Sequence, residues 1–359
     1  MARVYNFSAG PSMLPMPVLQ KAQAQLVEYE SSGQSVMEMS HRSKEFEAII
    51  SDTEARLRRV LGIPANYKVG FFQGGASTQF AMVPMNLMIT GEADYWVTGN
   101  FSQSAAKEAA KFGKVNVTAD SADRNFTYIP SPADVPVSPN ASYVHICQNN
   151  TIFGSRFAKL PNTGDTPLVA DLSSCILSEP VDVSRYGLIY FGVQKNVAPA
   201  GMAVVIVRED LLGNAPSNTP TMLNYKTLID ADSMYNTPPC WCIYLTGLTL
   251  QWVEEEMGGL AGMQAYNEKK AAVLYDYLDA QSFYKAPVEK PYRSMMNVTF
   301  TSPCKEQDDA FCAGAKAAGV VNIKGHRLVG GMRASIYNAM PEEGVRALVR
   351  YMQEFSAKQ

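Results

Sequence analysis

The chain has 359 residues, 47% of them hydrophobic, and 31 basic against 34 acidic side chains give a net charge of −3. That length suggests two domains sharing one chain. No basic stripe or polybasic tail appears, so nucleic acid and anionic membrane are excluded as partners; the opening M-A-R-V-Y-N-F-S-A-G-P lacks the apolar stretch of a signal peptide, and no apolar run approaches a membrane span.

The first element predicted is a helix over 43–61. Phe46, Ile49, Ile50, Leu57, Val60 and Leu61 share one face at helical spacing. Ser43 is its N-cap, Glu45 and Glu47 sit early, Arg56, Arg58 and Arg59 sit late, and Gly62 and Pro64 end it. A strand over 69–72 follows. Gln73-Gly74-Gly75-Ala76-Ser77-Thr78 then opens a second helix, with a kink expected at Pro84. Residues 95–97 read as a strand, and Gly99-Asn100-Phe101-Ser102 leads into an alanine-rich helix ended by Gly113. Strands are expected at 143–147 and 168–170, with proline-rich surface loops at 130–139 and 215–220. Alternating strands and helices argue for an α/β fold with a mostly parallel, doubly wound sheet, whose ligands sit beyond the carboxyl ends of the strands.

The pattern changes after Gly258-Gly259. A long helix over 260–280, a strand at 297–300, a helix at 308–318, a strand pair near 320–336 and a terminal helix over 342–355 form an α+β unit of ordinary domain size. The six cysteines are scattered and none forms a C-x-x-C pair, so they read as reduced thiols of a cytoplasmic protein. The three histidines show no metal-ligand spacing, and no metal is expected.

Residues 188–197, L-I-Y-F-G-V-Q-K-N-V, place Lys195 between two apolar runs, the second being Met202 to Val207. Burial lowers a lysine from its free pKa of about 10.4 toward the range where the amine is a nucleophile, suited to capturing a carbonyl as a Schiff base. The competing reading is a surface lysine at a hairpin tip. Four features lie at strand ends upstream. The Gly74–Thr78 turn offers backbone N–H groups and hydroxyls for a phosphate, or is an ordinary glycine turn. Asp171 ends an apolar strand, where it meets a cation or serves as an N-cap. Asn149-Asn150-Thr151 supplies donors or a plain turn, and Phe101 supplies a flat ring or core packing. Pyridoxal phosphate needs all of these together: a lysine, a carboxylate at the pyridinium nitrogen, a phosphate cradle and an aromatic cover.

The chain resembles the phosphoserine aminotransferase family, class V of the fold-type-I pyridoxal-phosphate enzymes, over nearly its whole length. The resemblance rests on N-F-S-A-G-P (6–11), S-H-R-S (40–43), Q-G-G-A-S-T-Q-F (73–80), A-D-L-S-S (170–174), G-V-Q-K-N (192–196), N-T-P-P (236–239) and G-H-R-L-V-G-G-M-R-A-S-I-Y-N-A-M-P (325–341). It implies a large cofactor-binding domain over 16–258, with a mostly parallel seven-stranded sheet flanked by helices. A small α+β domain is implied from 1–15 and 259–359.

The resemblance also implies residue roles. Lys195 is the Schiff-base lysine, Asp171 the pyridinium partner and Thr151 the donor to the ring's 3′ oxygen. Ala76, Ser77 and Gln194 bind the phosphate and Phe101 covers the ring. Asn236 and Thr237 reach the phosphate of the other subunit of a homodimer with shared sites. His41-Arg42 and His326-Arg327 clamp the substrate phosphate, and Arg333 clamps its carboxylate. The implied reaction moves an amino group between L-glutamate and 3-phosphohydroxypyruvate in serine biosynthesis. Pyridoxine biosynthesis, through a phosphorylated hydroxythreonine, is a further setting. The chain departs from the family at Phe101, where many members have tryptophan, at Ser77, where some have arginine, and at Ala9, where others have serine. Within the same fold, an alanine–glyoxylate transaminase or a cysteine desulfurase is the alternative, the latter with Cys304 as its candidate thiol.

Overall fold

The structure is a computed structural model and describes residues 3–131, 133 and 135–359. Its elements in chain order are β1 (Tyr5–Asn6), α1 (Met16–Ala24), α2 (Lys44–Leu61), β2 (Tyr67–Gln73), α3 (Ala76–Leu87), β3 (Glu92–Val97), α4 (Asn100–Ala109), β4 (Lys114–Asp120), β5 (Val144–Cys147), β6 (Leu168–Asp171), β7 (Leu188–Gly192), β8 (Met202–Arg208), α5 (Tyr225–Ile229), α6 (Cys240–Glu255), α7 (Gly259–Ala280), β9 (Asn297–Phe300), α8 (Lys305–Ala315), β10 (Val320–Val321), β11 (Met332–Ser335) and α9 (Glu342–Ser356).

The central sheet has seven strands in the order β2-β8-β7-β6-β5-β3-β4. Only β8 runs antiparallel to its neighbours β2 and β7; the pairs from β7 through β6, β5 and β3 to β4 are parallel. The inner strands are apolar on both faces. Ile189 and Phe191 of β7 join one core with α2, α6 and α7, while Leu188 and Tyr190 join a second core with α3, α4 and α5. The two-residue repeat of side chains along a strand produces this split.

Local chemistry explains the helix ends. The Ser43 hydroxyl accepts from the Phe46 N–H at 3.3 Å, and Gly62 closes α2 at φ 60°, a left-handed value that glycine adopts without cost. Pro84 lies within α3, which ends at Leu87. The alanine-rich helix stops at Ala109, short of Gly113.

The sequence expectations omit several elements, α6 and β4 among them, and need one correction. Helix α6 carries no amphipathic signature, because C-W-C-I-Y-L-T-G-L-T-L-Q-W-V is apolar on every side and ten of its residues are buried. Strand β4 is an edge strand of the sheet, and its K-V-N-V-T-A-D alternates polar and apolar residues, a strand signal absent from the expectations above. The strand pair near 320–336 is reduced to an isolated antiparallel bridge between Lys324 and Met332, while β10 pairs in parallel with β1 and β11 pairs antiparallel with β9. The expected loop at 130–139 includes Pro132 and Asp134, which lie outside the described residues.

Candidate active site

Lys195 lies in the connection from β7 to β8 and is only 9% exposed, so the hairpin-tip reading fails. Its Nζ donates to Thr151 Oγ1 at 2.9 Å and sits 5.1 Å from the centre of the Phe101 ring. Its backbone carbonyl accepts from the Ser12 hydroxyl, and the Gln194 carbonyl accepts from the Ser12 N–H at 3.1 Å. The segment preceding Ser12 is tied down too, since Tyr337 Oη donates to the Ala9 carbonyl at 2.6 Å. Burial pushes the Lys195 ammonium below its ordinary pKa; the nearby Asp171 carboxylate opposes this and the Arg333 guanidinium adds to it.

Asp171 ends β6, beside β5 and β7. Its Oδ1 accepts from the Ser173 N–H at 2.8 Å and the Ser173 hydroxyl at 2.5 Å. Ser173 Oγ in turn accepts from the Gly192 N–H at 3.0 Å. No α-helix starts at Asp171, so the N-cap alternative fails. Burial pushes its carboxyl pKa up, while Lys195 and the two bonds from Ser173 pull it down. A cation against the carboxylate's free oxygen would favour the ionised form further.

The phosphate turn is built by close approach. Gly74 has φ 102°, and Gly75 forms the N-cap of α3, whose first residue is Ala76. A Cβ added at Gly192 would lie 2.6 Å from Gln194 Oε1 and 3.4 Å from Ala76 N, so Gly192, Gln194 and the start of α3 converge. Ser77 is exposed in that first turn. Asn236 and Thr237 are held at the same rim: Asn236 Nδ2 donates to Gln73 Oε1 at 3.2 Å and Gln73 Nε2 donates to the Thr237 carbonyl at 2.6 Å.

Of the three residues 149–151, only Thr151 meets Lys195. Asn150 is engaged with Thr98 and Ser155, and Asn149 with Ser174, Ser294 and Asn297. Trp96 packs on Phe157 inside the sheet, which leaves Phe101 as the ring beside Lys195.

Arg333 lies on β11. Its Nε is buried without a hydrogen-bond partner, as is His41 Nε2. Burial pushes Arg333 below its ordinary pKa, and Tyr337 opposes this. His326 is pushed down by burial and by the cations of Arg333 and Arg327, so these three basic residues lie together. No hydrogen bond joins His41 or Arg42 to them within this chain; Arg42 and Arg327 are both exposed. Cys304 is exposed at the start of α8, and none of its hydrogen bonds reaches Lys195.

These residues fit pyridoxal phosphate: a buried amine, a buried carboxylate one strand away, a glycine-made cradle at a helix start, and orphaned donors on Arg333 and His41 for anionic substrate groups. Sequence reasoning did not single out Ser173 or Ser12, although both lie in or beside the motifs A-D-L-S-S and N-F-S-A-G-P.

Residues 4–348 match the family described as aminotransferase class-V. A phosphoserine aminotransferase from Desulfatibacillum aliphaticivorans is 52% identical over 358 residues, covering 99% of each chain. Among solved structures, the phosphoserine aminotransferase of Bacillus circulans subsp. alkalophilus superposes with a TM-score of 0.97 at 47% identity, covering 99% of each chain. The pyridoxal-phosphate-bound enzyme of the same description from Trichomonas vaginalis gives 0.93 at 36% identity, covering 98% of this chain and 100% of its own.

Proposed function

The chain belongs to the class-V aminotransferase family, and from that premise we infer that it is a pyridoxal-phosphate-dependent phosphoserine aminotransferase. It moves an amino group reversibly between L-glutamate and 3-phosphohydroxypyruvate, giving O-phospho-L-serine and 2-oxoglutarate. The observation that carries this reading is the buried Lys195 Nζ, held at Thr151 and Phe101 beside the carboxylate of Asp171.

Lys195 would carry the cofactor through Nζ, Asp171 would hold its ring nitrogen protonated, and Thr151 would donate to the ring's 3′ oxygen. Ala76, Ser77 and Gln194 would bind its phosphate, and Phe101 would cover one ring face. When bound, the cofactor supplies an electron-poor ring that makes the substrate Cα proton acidic. Lys195 Nζ takes that proton, and burial suits it to this by favouring the neutral amine. Asp171 would keep its charge in a buried site against the protonated ring nitrogen, which would offset the burial that pushes its pKa up. Arg333 binds the substrate carboxylate through its planar fork of donors. His41-Arg42 and His326-Arg327 bind the substrate phosphate. Such a clamp has no purpose in an alanine–glyoxylate enzyme, and Cys304, the desulfurase candidate, is the N-cap of α8 with no hydrogen bond to Lys195.

The working unit is a homodimer in which Asn236 and Thr237 reach the partner's cofactor phosphate and one histidine–arginine pair serves the partner's site. Residues 16–258 form the large domain, and 1–15 with 259–359 the small one, a division supported by the pairing of β1 with β10. The location is cytoplasmic, in keeping with six free cysteines. The setting is serine biosynthesis, with pyridoxine biosynthesis as a second use of the same phosphate clamp.

The test is spectroscopic. The cofactor-loaded protein should lose its visible absorbance on adding L-glutamate and regain it on adding 3-phosphohydroxypyruvate. A Lys195→Ala protein that kept the wild-type band would defeat the assignment of Lys195. Equal rates with the unphosphorylated oxoacid would defeat the phosphate clamp.

A further inference from the structure

Thr151 and Arg333 come from distant parts of the chain, yet one strand holds both. The turn 149–154 carries Thr151. Upstream of it, Asn149 Nδ2 donates to Asn297 Oδ1 and to Ser174 Oγ, each at 2.8 Å, and Asn149 Oδ1 accepts from Ser294 Oγ at 2.6 Å. Downstream, Thr299 Oγ1 donates to the Phe153 carbonyl at 2.9 Å. Asn297 and Thr299 both belong to β9, which therefore grips the turn on either side of Thr151.

Strand β9 also sets the register of β11, with Ser335 opposite Asn297 and Arg333 opposite Thr299. Asn297 Nδ2 donates to Ser335 Oγ at 2.9 Å. The Asn149 carbonyl accepts from Ser174 Oγ at 2.9 Å, which brings the segment after Asp171 into the same chain of bonds. Asn149, Asn297 and Thr299 are all at most 4% exposed. Gly154, at φ 84°, makes the approach possible, since a Cβ there would lie 2.8 Å from the Asn297 carbonyl. A buried polar network with its partners in place is stiff, because every displacement leaves a donor or acceptor unpaired in a low-dielectric interior.

We propose that Asn149, Asn297 and Thr299 are positioning residues that fix Arg333, through β9, relative to Thr151 and Lys195. The carboxylate-binding cation is then preorganised against the cofactor pocket. This rests on the functional reading above for the roles of Thr151 and Arg333.

The test uses the full-length protein carrying Thr299→Val, which keeps the branched shape and removes the hydroxyl, and Thr299→Ser, which restores it. In spectral titrations of the cofactor-loaded protein, Thr299→Val should weaken L-glutamate binding about two- to tenfold, the loss expected for one neutral hydrogen bond. The rate at saturation should change much less, and Thr299→Ser should recover the wild-type affinity. In the cofactor-free protein, amide exchange should quicken together in the turn 150–154 and in β11 of Thr299→Val. A variant that melts earlier but keeps wild-type L-glutamate affinity would reduce Thr299 to packing and overturn the proposal. Exchange that quickens in the turn alone would also overturn it, because Arg333 would then be held independently. A wild-type protein whose absorbance ignores L-glutamate would instead defeat the functional reading, and the exchange result would still decide the coupling.

Discussion

The Thr151 hydroxyl accepts a hydrogen bond from Lys195 Nζ at 2.9 Å, across 44 residues of sequence. Thr151 therefore stands where it can address whatever Lys195 holds. Replacing Thr151 with Val keeps the shape and removes the polar contact. A hydrogen bond involving a charged group contributes about 1.5–3 kcal/mol, so the dissociation constant for pyridoxal phosphate should rise about ten- to a hundredfold. Titrating cofactor into cofactor-free protein measures this; an unchanged constant would remove Thr151 from the ring contacts.

The basic residues should separate by substrate. Arg42→Ala and Arg327→Ala should each raise KM for 3-phosphohydroxypyruvate about tenfold or more and raise KM for L-glutamate less, since a phosphate offers the clamp more charge and more acceptor oxygens than the glutamate side-chain carboxylate. Arg333→Lys should raise KM for both, because both carry the carboxylate and an ammonium cannot reproduce the two-point contact. Steady-state kinetics with each substrate varied in turn decides it. An equal rise for both substrates in Arg42→Ala would argue against a phosphate role.

Phe101 presents its ring 5.1 Å from Lys195 Nζ. Aromatic stacking is worth about 0.5–1.5 kcal/mol, so Phe101→Ala should weaken cofactor binding about two- to tenfold. Phe101→Trp should bind at least as tightly as wild type. Tighter binding by the alanine variant would show that the ring crowds the pocket.

His145 is fully buried on β5, stacked on Tyr95, with Nε2 2.9 Å from Tyr190 Oη. Burial pushes its pKa down to about 3. The unfolded chain binds a proton at this residue as pH falls through about 6.5, whereas the folded protein does not until about 3. Its contribution is thus unperturbed above the unfolded value and is lost as pH falls, on the order of 1.4 kcal/mol per pH unit between the two. His145→Gln cannot titrate and should show a flatter loss of stability on acidification in denaturant unfolding. Parallel curves for the two proteins would place the acid sensitivity elsewhere.

Much of the site is legible in the sequence because its key residues are punctuated locally. Lys195 follows an apolar run that stops at Gly192, and Asp171 closes another, so each strand marks its own carboxyl end. The Gly74-Gly75 pair marks the turn into α3 in the same way. Helix α6 was hidden because burial on every side erases the polar face that gives a helix its period. Edge strand β4, by contrast, was legible, since V-N-V-T-A-D alternates apolar and polar residues as a half-exposed strand does.

By itself the sequence determined much of the succession of strands and helices, the ends of the strands that carry Asp171 and Lys195, and the chemical types gathered there. These are set by neighbours a few residues apart, through side-chain period, capping and turn geometry. Tertiary structure alone decided that β10 joins β1 from more than three hundred residues away, and that Asn149 meets Asn297. It alone decided that Lys195 is buried against Thr151 and not exposed at a hairpin tip. Such contacts depend on which surfaces exclude water together, and no local period in the chain records that.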